Sequence, residues 1–211
     1  MTDPTADLSQ PRTYDHDEEQ LFEKFFTENS AEISENKPFE LVGTLDDEFV
    51  DPSKAPAAEL QQEEVKKRES TLQRVSKLTV GERVKLAFVG NKEERAILVR
   101  DGSRVVFAAV IASPKLTDAE VENFASLKNV QEGVLREIAR NRKYIKKYPI
   151  QKALINNPRC PLDLGLGFIK GLLPPDLKTL SQNKNVSETI RKIALKTFKE
   201  KTAPPGSKGG G

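Results

Sequence analysis

Over the second part of the chain, apolar residues recur at the three- and four-residue spacing of helices and are cut at short intervals by proline or capping residues. That pattern predicts many short helices and no sheet. Asn-x-x-Glu occurs at Asn91, Asn129 and Asn185, with Glu94, Glu132 and Glu188 three residues on. An Asn at a helix N-cap accepts a backbone N–H and the Glu reaches back, so each copy predicts a helix start. Apolar residues follow each at helical spacing: Ile97 and Leu98, then Val134, Ile138 and Ala139, then Ile190, Ile193 and Ala194. Three similar starts predict a repeat, with an uneven period of about 38 and then 56 residues. Thr117 to Glu120 predicts another capped start, and Pro161 and Pro174-Pro175 predict first turns. The runs Arg104–Pro114 and Pro149–Pro158 predict helices stopped by proline.

In KALINNPRCPLDLGL, the residues Ala153, Leu154, Asn157, Pro158, Pro161 and Leu164 are similar to an A-x-N-P-x-x-P core, with an echo in AVIASPKLT. On these residues the chain, over about 78–201, resembles bacterial α-solenoid repeat proteins of the HEAT and leucine-rich-repeat-variant kind. The resemblance implies a right-handed stack of short helices used as a binding surface, and it carries over no catalytic residue. The fold expected is therefore all-α, an irregular α-solenoid-like helical repeat over 76–201. An irregular single-core helical bundle is the alternative architecture.

Charge divides the chain. Residues 1–70 hold 19 acidic and 7 basic side chains, against 13 and 27 in residues 71–211, so the near-neutral total conceals a net −12 followed by +14. Low hydrophobicity with high net charge predicts a disordered acidic arm over 1–55, a charged linker helix over 56–75 and a flexible tail over 202–211. Two apolar islands interrupt the arm. Leu21, Phe22, Phe25 and Phe26 fall on one face of a short helix, while PFELVGTL, from Pro38 to Leu45, alternates like a strand. Leu21, Phe22, Phe25 and Phe26 are read either as residues that pack back on the domain or as a partner-docking motif.

With one His and one Cys in 211 residues, a zinc site or a Ser-His-Asp or Cys-His arrangement is not expected within one chain. A single cysteine also points to a reducing cytosol. The start lacks a basic n-region and an apolar h-region, and the longest apolar run, Val105–Ala112, is short for a membrane span. Of the carboxylates, Glu94, Asp118, Glu120, Glu132 and Glu188 are explained by predicted first helical turns. No catalytic residue, metal site or cofactor is expected.

The remaining signal is basic. On a predicted helix from Val130 to Tyr148, Arg136, Arg140, Lys143 and Lys147 form a stripe at i, i+4, i+7 and i+11, widened by Arg142, Lys146 and Lys152. The stripe is read as a site for a polyanion or acidic partner. The expected function is a non-enzymatic, monomeric protein-interaction module in the cytoplasm, an adaptor or scaffold whose partner is another protein. The alternative is a nucleic-acid-binding helical repeat whose basic stripe is modulated by the acidic arm. No membrane partner is expected.

Overall fold

The computed structural model of the chain describes residues 15–43 and 70–203. Among these residues the regular structure is helical, apart from one isolated antiparallel bridge between Leu41 and Asp101. None of their helices is long and apolar enough to cross a membrane.

The acidic segment comes first. Helix α1 (His16–Glu28) starts at Asp15, whose carboxylate accepts the Glu18 N–H at 2.9 Å, and α2 (Ser30–Ser34) follows directly. Asn36 then takes a left-handed φ of 43°, which asparagine tolerates, and turns the chain into an extended strap over 37–43. A disordered arm over 1–55 is therefore not what is found at 15–43. One-sided spacing puts Phe22, Phe25 and Phe26 against the domain, and Ile33 and Phe39 join them there. Local apolar density outweighs the segment's mean polarity. The remainder of the predicted arm and most of the predicted linker helix lie outside the described residues.

The basic region opens with α3, described over 70–76, and Val75 is already fully buried. Helices α4 (Val80–Val89), α5 (Lys92–Leu98), α6 (Arg104–Ala112) and α7 (Asp118–Ser126) follow. Thr79–Glu82, Asn91–Glu94 and Thr117–Glu120 each form a reciprocal capping box, at α4, α5 and α7. Next come α8 (Glu132–Arg140), α9 (Arg142–Ile145) and α10 (Tyr148–Asn156). The chain ends with α11 (Leu162–Ile169), α12 (Pro174–Gln182) and α13 (Glu188–Thr202), whose last residue shows that the predicted tail starts too early at 202.

Two of the three Asn-x-x-Glu copies do not cap. Gln131, not Asn129, precedes α8, and Ser187, not Asn185, caps α13 by accepting the Ile190 N–H at 3.3 Å. The physical reason is Val130 and Val186, which the turns at 128–130 and 184–186 bring into the core, so that each helix starts two residues later. The predicted helix from Val130 to Tyr148 is also broken. Asn141 ends α8 and caps α9, accepting the Lys143 N–H at 3.0 Å.

Helices pack both on their sequence neighbours, α12 on α13 most extensively, and on helices further along the chain. Helix α4 lies on α6, α6 on α8, α7 on α10 and α11 on α13. Helix α6, buried from Val105 to Ile111, is the central element. One apolar cluster runs from Ile33 to Leu154 and a second from Ile155 to Ala194, with Phe168 packed against both. Charges are buried inside this stack as pairs: Arg83 with Asp101 at 2.6 Å, both essentially inaccessible, and Arg95 with Glu120 at 2.7 Å. A buried charge is tolerated only when paired and hydrogen-bonded, and both are.

Candidate binding groove and basic cluster

A groove of about 500 Å³ opens where α7, α10 and α12 meet the α12–α13 turn. Its walls follow from the Asn157-Pro158 turn. Asn157 is buried, and its amide donates to the carbonyls of Ala125 at 2.7 Å and Leu127 at 2.8 Å while its oxygen accepts the Arg159 N–H at 2.9 Å. One side chain thus closes the open carbonyl end of α7 and sets α10 beside it. The polar lining is Glu122, Ser126, Lys128, Lys152, Asn156 and Thr179, with Asn185 at the far rim.

The floor is held by a small network. Tyr148 donates to Asp176 and accepts the Leu173 N–H at 3.0 Å, while Lys152 meets the other oxygen of Asp176 at 2.8 Å. The Lys152 ammonium, and the Tyr148 hydroxyl after it, hold the Asp176 carboxyl below its usual range. Burial, and then Asp176, push the Tyr148 phenol up. The phenol thus stays protonated as a donor. Lys128 is exposed and makes no ion pair with a described residue.

The break at Asn141 divides the predicted stripe, with Arg136 and Arg140 on α8 and the other five cations beyond it. Arg136 forks onto Asp163 at 2.9 and 3.3 Å and reaches Glu132 at 2.8 Å, which holds the Asp163 carboxyl low. Arg140 meets Glu137 at 2.9 Å and Lys147 meets Asp118 at 3.2 Å. Lys143 lies 5.2 Å from the Tyr144 ring centre. Arg142 and Lys146 are exposed and make no ion pair with a described residue. Of the seven predicted cations only Lys152 lines the groove. Sequence reasoning missed Lys128, Asn156, Thr179 and Asn185. The Asn-Pro turn at 157–158 was the available signal for two of the walls.

The four residues of the apolar island separate. Phe22 lies edge-on to Phe88 at 5.6 Å and Phe25 packs on the same ring at 5.7 Å, while Leu21 stays 48% exposed. The acidic segment reaches cations other than the predicted ones, through Glu32 to Arg104 at 2.6 Å and Glu18 to Lys115 at 3.1 Å.

Reactive groups are few. Burial pushes the Cys160 thiol up to about 12, so it is a thiol rather than a thiolate near neutral pH. His16 stands exposed on α1, 3.0 Å from the Gln20 amide. Among the described residues no group of three or more His, Cys, Asp or Glu is placed to hold a metal ion. Comparison of the chain with protein-family models, with curated proteins and with solved structures found no match in any of the three.

Proposed function

We propose that the chain is a non-enzymatic interaction module, an α-solenoid-like helical repeat similar in kind to HEAT and leucine-rich-repeat-variant proteins, whose groove between α7, α10 and α12 takes an acidic segment of another protein. The observation that carries the reading is the lining of that groove. It combines two lysines and one carboxylate, Glu122, with amide and hydroxyl groups, and Lys152 and Tyr148 share Asp176 at its floor. Such a surface recognises side chains and main chain of a peptide by charge and hydrogen bonding. The packing of α4 on α6, α6 on α8 and α11 on α13 supports the repeat, because stacked units bury their faces against the next unit. A single cysteine is in keeping with action in the cytoplasm.

The groove is tested by placing a photo-crosslinking residue at Thr179 and, as a control on another face, at Lys85. The expected result is a protein adduct from Thr179 alone, lost when Lys128→Glu and Lys152→Glu are combined. Equal adducts from both positions would refute the groove. The nucleic-acid alternative draws on Arg142 and Lys146, exposed and without an ion partner among the described residues. It requires adducts to RNA or DNA from that corner, with affinity falling steeply as salt rises.

A further inference from the structure

We infer that the face formed by α4, the start of α6 and the turn at 100–102 is a peptide-docking site in its own right, for an acidic helix carrying Phe at i, i+3 and i+4 followed by an extended strap. Residues 15–43 are its tethered occupant. The inference concerns a different face from the α7–α10–α12 groove, so either can fail alone.

The seat has two parts. The first is a helix-in-groove contact, in which Phe22, Phe25 and Phe26 meet α4. Phe22 and Phe25 cover Phe88, and Phe26 and Ile33 pass over Gly81, where a Cβ would lie at ordinary contact distance of both. The second is strand addition. The Val42 N–H donates to the Arg100 carbonyl at 2.8 Å, and the Gly102 N–H donates to the Glu40 carbonyl at 2.7 Å. These are main-chain bonds of the kind by which extended peptides are read. Arg83 donates to the Lys37 carbonyl and lies 5.7 Å from the Phe39 ring centre, and the Val80 N–H donates to the Asn36 side chain at 3.1 Å. The strap ends at Gly43, whose φ of +89° and approach to Asn129 leave no room for a Cβ.

The site is built to survive without its occupant. Helix α1 buries no residue completely, and apart from Ile33 every buried member of the large cluster comes from 75–154. The polar anchors also keep partners inside the domain. Arg83 retains Asp101, which retains the Ser103 N–H at 2.8 Å, and Gln131 retains the Asp101 carbonyl at 2.9 Å. The ion pairs Glu32–Arg104 and Glu18–Lys115 are at least partly exposed and steer an acidic ligand rather than lock it. Sequence separation adds to this, since 26 residues stand between Gly43 and residue 70. Tethered ligands act at about millimolar effective concentration, so a segment with a Kd of about 10 µM would fill its site about 100-fold over.

A recognition sequence for a site-specific protease, inserted between residues 55 and 56, allows the chain to be nicked after folding. A labelled peptide of residues 15–43 is then titrated by fluorescence anisotropy into uncut chain and into nicked chain freed of its N-terminal piece. The expected result is micromolar binding to the nicked chain and about 100-fold weaker apparent binding to the uncut chain, where the tethered copy competes. Phe22→Ala with Phe26→Ala in the peptide should weaken binding more than tenfold. A Glu32→Lys peptide should bind poorly to the parent and regain affinity for an Arg104→Glu chain. Equal binding to nicked and uncut chain would overturn the inference. So would loss of helical circular dichroism and of cooperative unfolding once the N-terminal piece departs, since residues 15–43 would then be part of the core.

Discussion

Replacing Asn157 by Ala tests whether the Asn-Pro turn is a structural joint. The side chain is only 3% exposed and makes three hydrogen bonds, two given to the carbonyls of Ala125 and Leu127 and one taken from the Arg159 N–H. Arg159 is exposed, so water can replace the third bond. Ala125 and Leu127 are buried, so their carbonyls have no ready substitute. A buried acceptor left unsatisfied costs about 1–3 kcal/mol, which for two carbonyls puts the expected loss at about 2–6 kcal/mol. That is a large share of the stability of about 5–15 kcal/mol typical of a domain. Asn157→Asp sharpens the test. It keeps the acceptor for Arg159 but sets a carboxylate against two carbonyl oxygens, so it should lose more than Ala at neutral pH. The Asp recovers as pH falls, because the folded state favours the protonated form and binds more protons than the unfolded chain. Urea unfolding followed by circular dichroism measures both, with the slope against denaturant unchanged. A loss below about 0.5 kcal/mol for Asn157→Ala, within the range of an ordinary surface change, would refute the joint.

Ser187→Ala should lower stability by about 1 kcal/mol through loss of the α13 cap, whereas Asn185→Ala should stay within about 0.5 kcal/mol, and the reverse order in urea unfolding would restore the Asn185 phase. Burial alone would raise the Glu120 carboxyl, but the Thr117 N–H, the Arg95 guanidinium and the Thr117 hydroxyl together hold it below 4.5. Its contribution is present above pH 4.5 and lost as pH falls through the lowered value, so Glu120→Gln should flatten the acid side of the stability profile. The Cys160 thiol should react slowly with an aromatic disulfide at pH 8 in the native chain and quickly in urea, and equal rates would contradict its burial. Gly133→Ala would set a Cβ 2.7 Å from the buried Phe107 ring and cost about 1–3 kcal/mol. Gly165→Ala meets only the Cδ1 tip of Ile190 and gains helix propensity, so it should stay within about 1 kcal/mol by the same measurement.

Where a helix boundary rests on one residue's local chemistry, it could be read in advance. Asn91 and Thr117 cap the helices expected of them, and Pro174-Pro175 starts α12. Where the boundary depends on what a neighbouring apolar residue must bury, it could not. Val130 and Val186 enter the core from the turn, and Asn129 and Asn185 are left outside the helices they resemble starts for. The single helix expected from Val130 to Tyr148 failed for a related reason. Its residues have helical spacing on both sides of Asn141, and nothing in that spacing reveals that the Asn141 side chain competes for the backbone there. The segment Pro38 to Leu45, which alternates like a strand, forms no strand over its described residues, 38–43, only the single bridge at Leu41. What composition obscured was that a few phenylalanines on one face suffice to seat an otherwise polar segment. The groove combines Lys128, Lys152 and Thr179 from three places in the chain, and only the packing of α7, α10 and α12 brings them together.

From α5 onward the helix ends are more evenly spaced than the 38 and 56 residues that separate the Asn-x-x-Glu copies. The residues closing α5, α6, α7, α8, α10, α11 and α12 are Val99, Ser113, Leu127, Asn141, Asn157, Lys170 and Asn183. Successive ends stand 14, 14, 14, 16, 13 and 13 residues apart, and the short α9 accounts for the longer step. A short helix cannot bury its own apolar face alone, so its stability must come from the helices beside it. Two arginines show how that dependence is wired. Glu94 accepts the Asn91 N–H on one carboxylate oxygen at 2.6 Å and Arg74 of α3 on the other. Glu120 accepts the Thr117 N–H and hydroxyl on one oxygen and Arg95 of α5 on the other. In each case the carboxylate that starts a helix also ties it to the helix two places earlier. Local capping and stacking therefore share one group, and a substitution at Glu94 or Glu120 removes both at once. Such coupling favours joint unfolding of α3, α5 and α7 over independent fraying of each.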